Sequence, residues 1–276
     1  MSEEKCIFIG ESVLTEMKLP ENIKKLIAGK DYKTDDIGMS KASVKVYDDC
    51  VLKIANKSKH NDETIEVMKW MEEKIPVPKI LCYESDDEFQ YLLMSRIPGV
   101  MSCGEQYLNN PPKLAKMLAD AMKLLWSVDV SDCPRNRTID IELKEARYRV
   151  ENDMVDLDNV DPATFGKGGF KDPEDLLNWL ENNRPEYEPV LSHGDFCLPN
   201  IFFDGDKLSG FIDLGDAGIG DKWRDIALCY RSLRWNTEGV YGKVYPNAKE
   251  MMLFEALGVE PDMEKLRYYL LLDELF

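Results

Sequence analysis

Apolar residues along this chain change their period once, and the change divides it. In the first third they come as short β-prone runs: Ser43-Val44-Lys45-Val46-Tyr47 and Cys50-Val51-Leu52-Lys53-Ile54 read as paired strands around a turn at Asp48-Asp49, and Tyr91-Leu92-Leu93-Met94 reads as a further strand. Between them, Asn61-Asp62-Glu63 opens a helix running towards Lys74, with Ile65, Met68, Trp70 and Met71 supplying apolar faces. Past Arg96-Ile97-Pro98-Gly99 the spacing becomes helical. Pro111-Pro112 introduces a helix reaching Trp126, and further helices are expected over 140–152, 173–182, 222–233, 248–257 and 263–275. Asp172-Pro173-Glu174 has the order of an N-cap, a first-turn proline and a dipole-matched acid, and Asp221 is a second cap. A hairpin interrupts the helices: Ile201-Phe202-Phe203 and Leu208-Ser209-Gly210-Phe211-Ile212 flank Asp204-Gly205-Asp206-Lys207. The pattern is that of an α+β chain in two lobes, a strand-rich one over residues 1–97 and a mainly helical one over 98–276.

Length and charge narrow the partners. A chain of 276 residues can bury a large core. Its 52 acidic residues against 35 Lys plus Arg give a net charge of −17, which argues against nucleic acid or an anionic membrane as partner and favours a cationic small molecule, although acidity can also serve solubility alone. No apolar run reaches the roughly 20 residues of a membrane span, and Met1-Ser2-Glu3-Glu4-Lys5 lacks the order of a signal peptide, so a cytoplasmic location is expected. The seven cysteines are scattered without a Cys-x-x-Cys pair, which suggests reduced thiols and neither a disulfide framework nor a zinc site. Oligomeric state is not legible.

The chemistry concentrates in His193-Gly194-Asp195-Phe196-Cys197-Leu198-Pro199-Asn200 and, one hairpin later, Asp213-Leu214-Gly215. With the turn centred on residues 204–207, Asn200 falls opposite or nearly opposite Phe211, so Asn200 and Asp213 emerge at the same end of the ribbon. An Asn carbonyl and an Asp carboxylate suit Mg2+, which takes hard oxygen ligands and is commonly held by one or two protein groups plus substrate phosphates. Asp195, five residues before Asn200, would sit beside the metal as a base or a positioner of an attacking hydroxyl. Protein kinases use the same intervals, with Gly194 here in place of their Arg. Each of these residues alone would read as an ordinary turn residue; their joint spacing makes phosphoryl transfer the leading reading. His193 reads as a structural hydrogen-bonding residue, and Asp225 as a group that ties the catalytic loop down. Cys197 lacks a neighbouring base and does not read as a nucleophile.

Such a site also needs a lysine on an early strand. Lys53, charged within an apolar strand end, would find its anion in phosphate oxygens, or would snorkel to the surface. Glu63 or Glu66, three apart on one helix face, could reach it; the sequence does not decide between them, and Glu63 is taken as the first candidate. Gly38-Met39-Ser40-Lys41-Ala42-Ser43 would cap the phosphates through backbone amides and hydroxyls, and its plain alternative is a polar turn. Gly166-Lys167-Gly168-Gly169 is read as a loop and not a phosphate cradle, since no strand clearly feeds it. The acids before it, Asp153, Asp156, Asp158 and Asp161, could line the approach of a cationic substrate or form a solvated acidic loop.

Together these segments resemble the aminoglycoside O-phosphotransferases. The likeness is carried by Gly38-Met39-Ser40, Lys53, Ile75-Pro76-Val77-Pro78-Lys79, Ser131-Asp132-Cys133-Pro134, Phe170-Lys171-Asp172-Pro173, Ser192-His193-Gly194-Asp195, residues 209–215, Asp221-Lys222-Trp223 and the ending Leu271-Leu272-Asp273-Glu274-Leu275-Phe276. The resemblance implies a protein-kinase-like bilobal fold and phosphorylation of an aminoglycoside hydroxyl by ATP, with GTP as an alternative donor, and Mg2+. By motif position, Asp195 would be the catalytic Asp, Asn200 and Asp213 the metal ligands and Lys53 the phosphate lysine. Ser40 would lie on the nucleotide loop, and the backbone at Ser95 and Ile97 would meet adenine. Glu274 and the terminal carboxylate of Phe276 would join Asp158 and Asp161 as drug-binding candidates, with a buried helix end as their alternative. Four departures stand out. Asp216 follows the Asp-Leu-Gly triplet where relatives commonly have Arg, Trp235-Asn236 replaces an acidic pair, Val51 stands where an aromatic often stacks on adenine, and Thr64 occupies the lysine-partner position. The rival readings are a kinase of another small alcohol, such as choline, homoserine or a macrolide, and a catalytically silent nucleotide-binding module.

Overall fold

The computed structural model describes residues 19–34, 42–249 and 251–276. The expected phosphate-capping turn at Gly38, Met39 and Ser40 lies outside the described residues.

The first lobe opens with a short helix (α1, Glu21–Ile27) and strands β1 (Lys33–Thr34), β2 (Ser43–Val46) and β3 (Cys50–Asn56). A longer helix follows (α2, Lys59–Met71), then β4 (Ile80–Ser85) and β5 (Phe89–Ser95). The strands form one antiparallel sheet in the order β1-β2-β3-β5-β4. Alternation along β3 and β5 sorts their side chains between two faces. Cys50, Leu52, Ile54, Tyr91 and Leu93 are buried in a small cluster with Ile23 of α1. Leu92 and Met94 point the other way and pack against the large core. Lys53 pairs in register with Leu92, so the two-residue period places the lysine on the face that looks towards the second lobe.

Helix α2 starts two residues earlier than the apolar pattern predicts, because the Ser58 hydroxyl accepts from the Asn61 amide and caps it. Its buried residues Val67, Met68 and Met71 belong to the large core with Ile75 and Val77. The division between the two cores therefore runs inside the first lobe and not at the hinge after β5.

The second lobe contains β6 (Val100–Met101), α3 (Glu105–Leu108), α4 (Pro111–Trp126), α5 (Ile139–Glu151) and α6 (Pro173–Asn182). Next come β7 (Pro189–Ser192), a 3-10 turn at Leu198–Asn200, β8 (Ile201–Asp204), β9 (Lys207–Phe211) and β10 (Gly218–Asp221). Helices α7 (Lys222–Thr237), α8 (Met252–Leu257) and α9 (Met263–Asp273) complete it. Asp172 caps α6 through the Asp175 amide, and Asp221 caps α7 through the Trp223 amide. The expected helix over 248–257 is shorter, Met252–Leu257. The β8–β9 hairpin pairs Asp204 with Lys207, as the turn predicts; a register shift between Phe202 and Phe203 then sets Ile201 opposite Phe211, which leaves Asn200 nearly opposite it. No helix of the described residues is long and apolar enough to cross a membrane.

The lobes are joined where Gly99 takes a φ of +93°, a conformation that side-chain-bearing residues rarely adopt. A Cβ there would overlap the Phe203 carbonyl, so substitution meets both strain and a clash. At the hairpin tip Gly205 also has positive φ (+58°), but a Cβ would meet nothing within 4 Å. Gly99→Ala is therefore expected to cost about 1–3 kcal/mol in a urea unfolding experiment, and Gly205→Ala about 1 kcal/mol. Equal losses for the two variants would refute the role assigned to the close approach at Gly99.

Candidate active site

The loop between β7 and β8 is held by one carboxylate. Asp225, fully buried on α7, accepts through Oδ1 from the His193 amide (3.0 Å), the Gly194 amide (3.2 Å) and the Ser192 hydroxyl (2.9 Å), and through Oδ2 from the Trp126 indole (2.9 Å). Burial pushes its carboxyl up, while these donors pull it down. Arg224, next on the helix, donates from Nε to the Gly194 carbonyl at 2.7 Å. Gly194 has a φ of +80°, and any side chain there would run into the backbone of Asp216.

His193 is fully buried and bonds backbone on both ring nitrogens. Nδ1 accepts from the Asp195 amide (3.3 Å), which leaves Nε2 as donor to the Ile212 carbonyl (3.0 Å). It thus links the catalytic loop to the strand end before Asp213 and has no nitrogen left for proton transfer.

Asp195, Asn200 and Asp213 come together. Asn200 donates from Nδ2 to the Asp195 carboxylate (2.8 Å) and its carbonyl (3.0 Å), while the Ile212 amide donates to the Asn200 carbonyl (2.9 Å). With its amide nitrogen spent on Asp195, Asn200 has its side-chain oxygen to offer a cation. Burial pushes the Asp195 carboxyl up and a hydrogen bond from Cys197 pulls it down, while Asp273 and Asp213 add to the rise. Burial also pushes the Cys197 thiol well up, as does Asp195 beside it, so it stays protonated. Asp213 has a φ of +55°, a strained setting that an Asp tolerates better than most residues. Its carboxylate meets Lys53 Nζ at 3.1 Å across the two lobes.

A hard cation fits this donor set. Asn200 supplies one amide oxygen and Asp213 one half-exposed carboxylate, and Mg2+ completes such a set with water and phosphate oxygens. Among the described residues no cluster of three or more His, Cys, Asp or Glu could hold a metal without such help.

The other candidates are placed as follows. Glu63 does not reach Lys53: it pairs with Lys59 one turn back on α2, at 2.6 Å. Glu66 is exposed. Ser95 ends β5, and its amide and hydroxyl are both taken by Lys79, through the Lys79 carbonyl (2.8 Å) and amide (2.9 Å). Ile97 is buried against Gly210 of the hairpin. Asp161 and Glu274 meet, the Glu274 carboxylate accepting from the Asp161 amide at 2.9 Å. Burial raises the Glu274 carboxyl, and that bond lowers it. Asp158 is exposed, its amide folded back on Asp156. The Phe276 main-chain oxygen accepts from Arg149, and its ring lies 5.7 and 5.8 Å from the Arg149 and Arg224 guanidinium groups.

Sequence reasoning missed the ion network beneath the loop. Glu142 of α5 and Arg224 of α7, both nearly fully buried, pair at 3.2 Å. Arg137 bonds Glu145 (2.6 Å) and forms an ion pair with Asp216 (3.2 Å). Asp273 pairs with Arg231 (2.5 Å). Burial works against the Asp216 carboxylate, yet Arg137, Arg224, His60 and Arg135 together hold it below its ordinary range. The signal was present as the unusual acid after Asp-Leu-Gly, but its partners lie far apart in the chain. Trp235 packs under Arg231 (5.2 Å), and Asn236 turns back onto the Ser232 carbonyl, so the end of α7 offers neutral groups at those two positions.

Known proteins resemble this chain in sequence and in fold. Residues 32–268 match the model of the phosphotransferase enzyme family. An aminoglycoside 3′-phosphotransferase of Enterococcus faecalis is 40% identical over 279 residues, spanning 95% of this chain and 100% of that protein. In fold, the chain is similar to a crystal structure of a type VIII aminoglycoside 3′-phosphotransferase (TM-score 0.74, 24% identity, 92% of this chain and 97% of that one). It is equally similar to a Streptomyces rimosus aminoglycoside phosphotransferase solved with ADP and streptomycin (TM-score 0.73, 23% identity, 92% and 97%). This chain belongs to the aminoglycoside phosphotransferase branch of the phosphotransferase enzyme family and has its two-lobed, protein-kinase-like fold.

Proposed function

We propose that this protein transfers the terminal phosphoryl group of ATP to a hydroxyl of an aminoglycoside, the 3′-hydroxyl being the position named for its 40%-identical relative. The observation that carries the reading is the pairing of four side chains from three segments: Asp195 with Asn200 at 2.8 Å, and Asp213 with Lys53 at 3.1 Å, the two pairs linked where the Ile212 amide bonds the Asn200 carbonyl.

Each has a role suited to its position. Asp195 orients the acceptor hydroxyl and takes its proton as the new oxygen–phosphorus bond forms and the bond to the leaving ADP oxygen breaks. Its bond from Asn200 fixes the carboxylate rotamer, which matters because positioning supplies most of the catalysis in this chemistry. Lys53 exchanges its contact with Asp213 for phosphate oxygens and balances their charge. Asn200 and Asp213 are the residues that would hold Mg2+, which when bound neutralises the terminal phosphates. The segment around Asp161 and the Glu274 carboxylate bonded to it form the acidic wall towards which a polyammonium substrate is drawn, helped by the net charge of −17. Asp158 flanks that wall.

Asp195→Ala is expected to lower turnover by about 10²–10⁴-fold while ATP still binds, as read by a coupled ADP assay with kanamycin and by calorimetry. Undiminished ADP release would end the assignment of Asp195. Lys53→Ala is expected to raise the KM for ATP roughly tenfold with the KM for kanamycin little changed. Mass spectrometry of the product tests the acceptor, and ADP release with choline or homoserine but with no aminoglycoside would redirect the reading to another alcohol kinase.

A further inference from the structure

The phosphate lysine has no carboxylate from α2 to hold it, since Glu63 is engaged by Lys59 and Lys53 turns to Asp213. What α2 presents across the lobes is a pair one turn apart, His60 and Thr64, and both are bonded by one buried guanidinium. Arg135 donates from Nη1 to the Thr64 hydroxyl (3.2 Å) and lies with Nη2 at 2.9 Å from His60 Nδ1. A guanidinium only donates, so Nδ1 accepts. The backbone around Arg135 is fixed to β10: its carbonyl accepts from the Ile219 amide (2.9 Å), and the Arg137 amide donates to the Ile219 carbonyl (2.8 Å). Two residues on, the Arg137 side chain reaches Asp216, three positions after the metal-ligand candidate Asp213. The same N-terminal turns of α2 are tied to the sheet carrying Lys53. Asn61 donates to Gln90 (2.8 Å) and to the Asn56 carbonyl (2.9 Å), and Asp62 accepts from Tyr83 (2.7 Å) and Gln90 (2.9 Å).

We propose that Arg135 is a positioning residue for phosphoryl transfer: by bonding His60 and Thr64 it fixes α2, and through α2 the strand of Lys53, against the segment that carries Asp213. The inference rests on the phosphotransferase reading above. It separates the two substrates, because the acceptor wall near Asp161 and Glu274 is built from other segments, whereas the spacing of Lys53 and Asp213 depends on how the lobes are registered.

The test compares wild type with Arg135→Ala, Arg135→Lys, His60→Gln and the double variant Arg135→Ala/Thr64→Val, using Mg·ATP and kanamycin as probes. Arg135→Ala is expected to lower kcat/KM for ATP about tenfold or more, with the KM for kanamycin within roughly twofold of wild type. Arg135→Lys is expected to fail to restore it, since an ammonium lacks the fork that reaches two acceptors. His60→Gln alone, which supplies an amide oxygen in place of Nδ1, should stay near wild type. Adding Thr64→Val to Arg135→Ala should cost little more than Arg135→Ala alone, as expected of groups acting as one unit. Unchanged kcat/KM for ATP, or an equal loss towards both substrates with a lowered Tm, would overturn the proposal. If Arg135→Ala does not fold, Thr64→Val combined with His60→Ala carries the same expectation and the same refutation. If wild type binds Mg·ATP but releases ADP with no acceptor, the transfer reading fails by itself. The clamp is then judged by calorimetry: Mg·ATP binding about tenfold weaker in Arg135→Ala upholds it, and unchanged affinity ends it.

Discussion

The carboxylate of Asp225 is the fixed point to which the rest of the site is referred. A glycine-containing loop at the end of a strand has three donors at residues 192–194 that must be satisfied in a dry interior, and unpaired they would cost roughly 1–3 kcal/mol each. One side chain on α7 meets all three and also accepts from Trp126 of α4, so helix, strand and loop share one anchor. From there the order of the site follows by short steps. The Asp195 amide rests on His193, the Asn200 amide group rests on Asp195, and the Asn200 carbonyl pairs with the strand that delivers Asp213. Reactive groups that must be held within fractions of an ångström are thereby placed by backbone bonds and not by long flexible side chains.

The buried charges beneath this loop serve the same end. Arg224, Glu142, Arg137 and Asp216 form a chain of alternating sign, and an isolated charge at any of the first three, which are buried, would be strongly disfavoured. Arg224 also bonds the Gly194 carbonyl, so the network and the loop are one structure. An acid after Asp-Leu-Gly is therefore accommodated by arginines brought to it from α7 and from the segment before α5.

What could be read from the chain depended on distance along it. Asn200 and Asp213 flank a tight hairpin, so their emergence at the same end of it followed from turn chemistry, whereas the register shift between Phe202 and Phe203 left no local signal. The cap at Asp172 and the proline after it are equally local. Lys53 is 160 residues from Asp213, and only the joint occurrence of a charged strand end and a phosphate-binding loop suggested that they meet. Glu63 shows where that reasoning stops: spacing put a carboxylate on the right helix, but a lysine one turn away competes for it at lower entropic cost. Arg135 left no trace in the pattern, because its acceptors are a hydroxyl and an imidazole on another lobe.

The partition of the apolar interior carries a consequence for how the molecule comes apart. Helix α2 is packed into the larger core, whereas the face of the sheet turned away from the second lobe shares a separate, smaller one with α1. Cooperative units of opening follow buried contacts and not chain order. Under mild denaturant the sheet can therefore loosen while α2 remains seated, and a nucleotide bridging Lys53 to the opposite loops would stabilise the weaker unit more than the stronger. Calorimetric traces of such a protein would merge from two overlapping transitions towards one as ligand is added.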